Sequence, residues 1–275
     1  MTPDHHPYLA APGPRAFAHR GWHIGDLAGL ENSLASFRRA ALEGYRYMET
    51  DVQVTSDGVV VVHHDRDLDR TTDRTGRVSD LPWSEVRRAR IGGTEPISRL
   101  EDVLEELPEA RFNIDIKIDA ALDPFLRVIE RTGSLDRVAA ASFSTRRLAR
   151  LRRRVSPAKL ATAMSPCSVH TLWLHARVPR VGLSGMLTGL MAQVPPGYGW
   201  FELVDDRFVR AAHRLGTEVH VWTINDATRM RTLLDRGVDG IVTDRPDLLR
   251  EVLCERGRWY GPCGQGHEPC LASAS

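Results

Sequence analysis

Two histidines and two carboxylates lie at or just past the ends of apolar runs in the stretch from Ala18 to Thr72. His19 and His64 are candidates for proton transfer, because imidazole titrates near neutral pH. Glu49 and Asp51 are two residues apart in a predicted strand, so their side chains point the same way and can share a hard cation. These residue types predict a site that combines proton transfer with cation binding.

A later predicted strand carries a third acid, Asp115, with Lys117 on the same face. If it lies beside the strand of Glu49 and Asp51, three carboxylates converge and repel one another unless a cation or protons neutralise them. Oxygen ligands alone suit Mg²⁺ or Ca²⁺ rather than Zn²⁺. The alternative is that neighbouring arginines pair with these acids. Their position at strand ends, where sites form, favours the metal.

Two cations accompany the predicted acid cluster. A metal with Arg20 and Lys117 is suited to hold a phosphate diester. His19 and His64 would then deprotonate the attacking oxygen and protonate the leaving alkoxide. His63 adjoins His64, and consecutive strand residues face opposite ways, so the pattern alone leaves open which of them faces the site.

The elements that must position these residues alternate between strand and helix about eight times, with roughly thirty residues per unit. This rhythm predicts an α/β fold, a closed TIM (β/α)8 barrel. The alternative is an open doubly wound sheet, but no G-x-G-x-x-G motif follows the first predicted strand. In such barrels catalytic groups sit at the carboxyl ends of strands, and the candidate residues fall there.

The stretch from about 53 to 96 is too long for an ordinary connection between strand and helix. We interpret it as an inserted hairpin-plus-helix segment after the second strand, which carries His64. The predicted domain organisation is an N-terminal lead-in over 1–14, a barrel over 15–256 and a C-terminal tail over 257–275.

Helix starts are predicted from capping residues. Ser98 and Glu101 have the spacing of a capping box, and Ser144, Asp206 and Asp226 are each predicted N-caps.

Composition excludes several classes of protein. The 275 residues are 42% hydrophobic with a net charge of +1, so nothing attracts the chain to nucleic acid or an anionic membrane. No apolar run approaches the roughly 20 residues that span a bilayer, so no stable membrane insertion is expected. The N-terminus lacks the features of a signal peptide, and four cysteines do not make a disulfide scaffold in a chain this long. We therefore expect a cytoplasmic protein; its oligomeric state is not predicted.

Two further features have an ordinary and a functional interpretation. Residues 146–154 hold six arginines at the spacing of an amphipathic helix, so a solvated basic face is favoured over docking to phospholipid head groups. Cys254, Cys263, His267 and Cys270 have the composition of a Cys₃His zinc site, but a loosely packed tail is favoured because their spacing fits no strong motif.

An ordered set of motifs resembles the glycerophosphodiester phosphodiesterase family. The set is HRG, ENS, E-x-D-V, D-G-x-x-V-x-x-H-D, L-x-R-T-T, FNIDIK, VHVWTIND and DGIVTDRPDLL, and it runs from about Arg15 to Leu253. The resemblance implies a TIM barrel with an insertion after its second strand. It also implies a divalent cation and hydrolysis of a small-molecule glycerophosphodiester to glycerol 3-phosphate and an alcohol.

The resemblance also implies roles for individual residues. The first catalytic histidine of the family falls on His19, its phosphate-binding arginine on Arg20, and two metal acids on Glu49 and Asp51. Its second catalytic histidine directly precedes an aspartate, which selects His64.

The third metal acid departs from the family pattern, which usually has Glu. Here it is Asp115, one methylene shorter, with Lys117 two residues later. Trp222 matches a family aromatic that lines the substrate pocket, and its alternative role is packing at the barrel mouth.

The mechanism implied by similarity begins with attack of the glycerol 2-hydroxyl, which gives a cyclic phosphate that water then opens. Our hypothesis makes His19 the base and His64 the acid in the first step. One alternative function is a lysophospholipase D acting on lysolipids, which needs a hydrophobic groove or lid that residues 166–200 have the composition to supply. Another is an inactive barrel used for binding, which would lack one of the site residues.

Overall fold

The computed structural model describes residues 6–10, 13–178, 187–261 and 263. The strands in chain order are β1 Arg15–His19, β2 Tyr47–Val54, β3 Val60–Val62, β4 Arg90–Ile91, β5 Glu95–Pro96, β6 Arg111–Ile116, β7 Val138–Ala141, β8 Ala161–Thr162, β9 Met191–Val194, β10 Gly197–Tyr198, β11 Phe201–Glu202, β12 Glu218–Val221 and β13 Gly240–Thr243. The helices are α1 Leu34–Leu42, α2 Trp83–Val86, α3 Leu100–Glu106, α4 Leu122–Arg131, α5 Thr145–Arg154, α6 Pro166–Arg177, α7 Asp206–Arg214, α8 Ala227–Asp235 and α9 Pro246–Glu255.

Eight of the described strands are parallel neighbours, in the order β8-β7-β6-β2-β1-β13-β12-β9. The first and last of these meet where Ala163 pairs in parallel with Met191 and the Leu190 amide donates to the Thr162 carbonyl over 2.9 Å. The strands therefore form a barrel, and each is followed by a helix. The predicted TIM barrel is confirmed, and the alternative of an open doubly wound sheet is wrong.

The segment between β2 and α3 is the predicted insertion. β3 runs antiparallel to β2, with Val62 opposite Val52, and a short helix and the β4–β5 hairpin follow. The segment has an apolar cluster of its own, formed by Val61, Leu68, Val78, Val86, Ala89, Ile91 and Ile97. Because β3 returns along β2, the His63 amide reaches the Asp51 carbonyl over 3.0 Å. The insertion thus brings the histidine pair back to the carboxyl end of the barrel.

Some predicted helix starts are displaced. Arg99, not Ser98, precedes α3 and makes no side-chain capping bond, so the predicted capping box is wrong. Asp205 rather than Asp206 caps α7 by accepting from the Phe208 amide over 2.8 Å. Ser144 and Asp226 cap α5 and α8 as predicted.

The N-terminal ends of the barrel strands, which we call the closed end, are covered by residues 6–10. Tyr8 and Leu9 are buried there, and the Tyr47 hydroxyl donates to the Tyr8 carbonyl over 2.8 Å. A loose lead-in is therefore the wrong description of these residues.

At the other terminus, Cys254 and Cys263 form a disulfide, so neither sulfur is available to the zinc site considered from the sequence. His267 and Cys270 lie outside the described residues. Within the residues the structure describes, no helix is long and apolar enough to cross a membrane.

Candidate active site

A pocket of about 720 Å³ opens at the carboxyl ends of the strands, which we call the open end. It contains all the predicted site residues, namely His19, Arg20, Glu49, Asp51, His64, Asp115, Lys117 and Trp222. Strand register accounts for their convergence. His19 pairs with Glu49, and Asp51 pairs with Asp115, on adjacent parallel strands. Their side chains therefore lie in neighbouring layers at one end of the barrel.

Lys117 bridges two of the three acids. Its ammonium lies 2.8 Å from Asp51 Oδ1 and 2.7 Å from Asp115 Oδ2. Burial raises the pKa of Asp51, but Lys117 and Arg20 outweigh burial and bring the pKa below its ordinary value. Burial also raises the pKa of Asp115, and there Lys117 does not fully compensate.

Glu49 is the least compensated of the acids. Its Oε2 is buried and accepts no hydrogen bond from any residue that the structure describes, and it lies 3.6 Å from His19 Nε2. Burial and the charge of Asp51 raise the pKa of Glu49 despite His19 and Arg20.

The three acids differ in which carboxylate oxygens remain free to bind a metal ion. Within the described ranges Asp115 Oδ1 is also buried without a hydrogen bond. Both oxygens of Asp51 are engaged, Oδ1 by Lys117 and Oδ2 by Asn32 over 3.0 Å. Unpartnered carboxylate oxygens are the donors that a hard divalent cation uses. As the side chains stand, however, no group of three or more His, Cys, Asp or Glu residues in the described chain is placed to hold a metal ion.

His19 is oriented by Asp244, a carboxylate to which the sequence motifs assign no role. Its Nδ1 lies 2.5 Å from Asp244 Oδ1, directly after β13, so its Nε2 faces the pocket. Burial lowers the pKa of His19, but Glu49 and Asp244 outweigh burial and raise it. Burial alone would raise the pKa of Asp244, and the hydrogen bond with His19 brings it far below its ordinary value.

His64 has a matching arrangement. Its Nδ1 lies 2.5 Å from Asp65 Oδ1, and Asp65 is in turn held by Arg70 over 2.5 Å. His63 points away from the pocket, is 2% exposed, and contacts the Asp67 carbonyl through Nε2 over 3.1 Å. The choice of His64 over His63 thus agrees with which of them lines the pocket.

A chain of ion pairs links Arg20 to the insertion. Arg20 donates to Glu31 over 2.8 Å, and Glu31 accepts from Arg70 over 2.7 Å. Sequence reasoning missed Glu31, Asp65 and Arg70 as supports of the site. Glu31 and Asp65 could have been identified as site residues because they lie inside the ENS and H-D motifs.

The side of the pocket opposite the charged residues is apolar. α6 and the β10–β11 hairpin provide much of it, and Trp222 packs on Phe143 with ring centroids 5.7 Å apart. Trp173 on α6 packs on Phe201 at the same centroid distance of 5.7 Å. The described part of residues 166–200 therefore supplies the hydrophobic surface expected of it; residues 179–186 lie outside the described chain.

Three comparisons with known proteins bear on this site. A family model for the glycerophosphoryl diester phosphodiesterase family matches residues 19–248. A relative from Mycobacterium tuberculosis, named probable glycerophosphodiester phosphodiesterase 2, is 40% identical over 259 residues, which are 92% of this chain and 96% of the relative. A lysophospholipase D, GDPD1 of Rattus norvegicus, is 26% identical over 282 residues, covering 87% of this chain and 86% of its own.

Among solved structures, a glycerophosphodiester phosphodiesterase from Agrobacterium tumefaciens superposes with a TM-score of 0.69 at 25% identity. The match covers 86% of this chain and 98% of that one.

Proposed function

The chain belongs to the glycerophosphoryl diester phosphodiesterase family, and from this premise we propose that it hydrolyses glycerophosphodiesters to glycerol 3-phosphate and an alcohol. The observation that carries the proposal is the pair of histidines on one pocket. Each has Nδ1 held by a carboxylate, Asp244 for His19 and Asp65 for His64. Each therefore has its Nε2 left for proton transfer to or from a substrate.

The two cations support a phosphate-binding site in this pocket. Lys117 has a third N–H beyond its bonds to Asp51 and Asp115, and Arg20 has guanidinium donors beyond those used by Glu31 and Asp51. These donors face the same pocket as the histidines, so a phosphate diester held there lies within reach of both.

In the first step His19 Nε2 removes the proton of a glycerol hydroxyl as its oxygen forms a bond to phosphorus. The bond from phosphorus to the alcohol oxygen breaks, and His64 supplies the proton that the leaving oxygen needs. In the second step His64 takes a proton from water, which opens the cyclic phosphate, and His19 returns its proton to the glycerol oxygen. Both histidines end in their starting protonation states.

Glu49, Asp51 and Asp115 would hold the divalent cation, Mg²⁺ or Ca²⁺. Their oxygen-only donor set fits a hard ion, and the buried unpartnered oxygens of Glu49 and Asp115 favour one. A bound divalent cation would supply charge stabilisation for the phosphate oxygens.

The test is hydrolysis of glycerophosphocholine with Mg²⁺, with Ca²⁺ and with chelator. We expect turnover that chelator abolishes and one of the ions restores, together with a higher Tm in that ion that Glu49→Gln does not show. Turnover that is insensitive to chelator would overturn the metal assignment, and no turnover on any glycerophosphodiester would overturn the function.

A second candidate function is hydrolysis of lysophospholipids by the same residues. The apolar side of the pocket, which includes Trp173 and Phe201, favours it, because an acyl chain needs such a surface. Lysophosphatidylcholine assayed beside glycerophosphocholine distinguishes the two. The alternative of an inactive barrel needs a missing site residue, and all of those expected line the pocket.

A further inference from the structure

The floor of the pocket is formed by two amides that the proposed reaction does not use, Asn113 on β6 and Gln193 on β9. Asn113 pairs in register with Glu49 on the adjacent strand and is 4% exposed. Gln193 Nε2 donates to Asn113 Oδ1 over 3.0 Å. The two amides therefore connect across the barrel interior beneath the acids.

From Gln193 a chain of polar contacts leads to the closed end. Gln193 Nε2 is 3.4 Å from His220 Nδ1, a longer contact. His220 Nε2 is 2.9 Å from Glu218 Oε2, and Arg15 donates to Glu218 Oε1 over 2.8 Å. We call Gln193, His220 and Glu218 the relay.

The contacts of the relay fix the orientation of the Gln193 amide. A carboxylate only accepts hydrogen bonds, so His220 carries a proton on Nε2. The nitrogen end of the Gln193 amide faces His220 Nδ1 at 3.4 Å, and the same nitrogen donates to Asn113 Oδ1.

The orientation of the Gln193 amide determines how Asn113 faces the pocket. Because Gln193 donates from Nε2, Asn113 accepts this hydrogen bond with Oδ1. Its Nδ2 is then on the side of the pocket. The two ends of an amide have the same shape, so only such a network selects one orientation. The hydrogen bond of Asn113 uses Oδ1, and its Nδ2 has no partner among the residues the structure describes. A buried amide nitrogen that lines a pocket can donate to a hydroxyl oxygen of a bound ligand.

We infer that Asn113 is a substrate-binding residue whose Nδ2 donates to a hydroxyl of the glycerol unit, and that the relay residues position it. The inference rests on the proposed function, because it needs a glycerol unit in this pocket.

The direct test measures binding by calorimetry rather than turnover. The probes are glycerol 3-phosphate and two analogues, 2-hydroxypropyl phosphate and 3-hydroxypropyl phosphate, each of which lacks one hydroxyl. In the wild-type protein we expect one analogue to bind about tenfold more weakly than glycerol 3-phosphate, the effect of losing one hydrogen bond to a buried polar group. In Asn113→Ala that difference should fall below about twofold.

The outcomes separate this inference from the proposed function. If glycerol 3-phosphate does not bind the wild-type protein, the proposed function and this inference are both overturned. If it binds and the differences between probes are the same in Asn113→Ala, the inference alone is overturned.

The relay is tested by Gln193→Glu, in which an acceptor replaces the donor. Asn113 must then turn Nδ2 toward residue 193 and present its oxygen to the pocket. We expect binding of glycerol 3-phosphate to weaken about tenfold, and the double variant with Asn113→Ala to bind no more weakly than Asn113→Ala alone. A purely structural role of Gln193 predicts additive losses instead. If Gln193→Glu does not fold, Gln193→Met, which removes the donor without adding charge, should show the same lack of additivity with a loss of about threefold.

Discussion

Glu218 and Glu49 are both buried in the barrel, one at the closed end and one at the open end. Burial acts to raise the pKa of each. At Glu218, bonds from His220 and Arg15 to its two oxygens outweigh burial and lower the pKa. At Glu49, Asp51 adds to burial, and the pKa rises.

The two buried carboxylates therefore have different roles in the same barrel. A buried carboxylate with both oxygens bonded holds its neighbours in place. A buried carboxylate with an unpartnered oxygen costs stability and is available to a ligand.

The largest effect is expected at the closed end. Arg15→Met leaves Glu218 without its guanidinium, and removing one partner of a buried ion pair costs about 3–5 kcal/mol in free energy of unfolding. Urea denaturation measures this cost. The control is Arg38→Met, which removes a half-exposed pair with Glu106 and should change stability by less than about 0.5 kcal/mol. Equal urea midpoints for Arg15→Met and Arg38→Met would show that the ion pair between Arg15 and Glu218 does not stabilise the closed end.

At the open end we expect loss of rate without loss of fold. His19→Ala and His64→Ala should each reduce kcat by about two or more orders of magnitude, because each removes a proton-transfer group. Circular dichroism and Tm should stay near those of the wild-type protein. His63→Gln is the matched control and should keep its turnover. Near-normal turnover in His64→Ala, with loss in His63→Gln, would reverse the choice between the two histidines.

The open end was more predictable from sequence than the closed end. His19, Glu49, Asp51 and Asp115 fall at strand ends, and alternation of strand and helix is enough to bring strand ends together. The partners that orient these residues were not predictable in the same way. Asp244 is 225 residues from His19, and no local pattern joins them.

The closed end depends on contacts that have no periodic signal. Arg15 is 203 residues from Glu218, and the packing of Tyr8 follows from tertiary contacts rather than from local propensity. Helix starts were displaced for a related reason. Asp205 and Asp206 are both suitable N-caps by residue type, so the local sequence does not distinguish them, and the structure uses Asp205.

An opposite effect on stability is expected for Glu49→Gln. Between 4.5, the pKa of an exposed glutamate, and about 8 in the fold, folded Glu49 keeps a proton that the unfolded chain has lost. The stability that Glu49 contributes is therefore present below about pH 4.5 and is lost as the pH rises toward about 8.

Glutamine has no such proton. Without divalent ions, Glu49→Gln should match the wild-type protein at acidic pH and exceed its stability near pH 8, by up to about 5 kcal/mol, while its activity is lost. Urea midpoints across this pH range test the prediction. A variant less stable than the wild-type protein at pH 8 would remove the contrast between Glu49 and Glu218.

The smallest effect concerns the apolar side of the open end, where Trp173 lines the pocket and packs on Phe201. If this side binds the acyl chain of a lysophospholipid, Trp173→Ala should raise KM for lysophosphatidylcholine about tenfold, the effect of losing part of an apolar contact. KM for glycerophosphocholine, which has no acyl chain, should change less than about twofold. Trp200→Ala is the matched control, since Trp200 lies between β10 and β11, is 97% exposed and does not line the pocket. Equal changes in KM for both substrates would show that Trp173 supports the charged side of the pocket rather than binding the acyl chain.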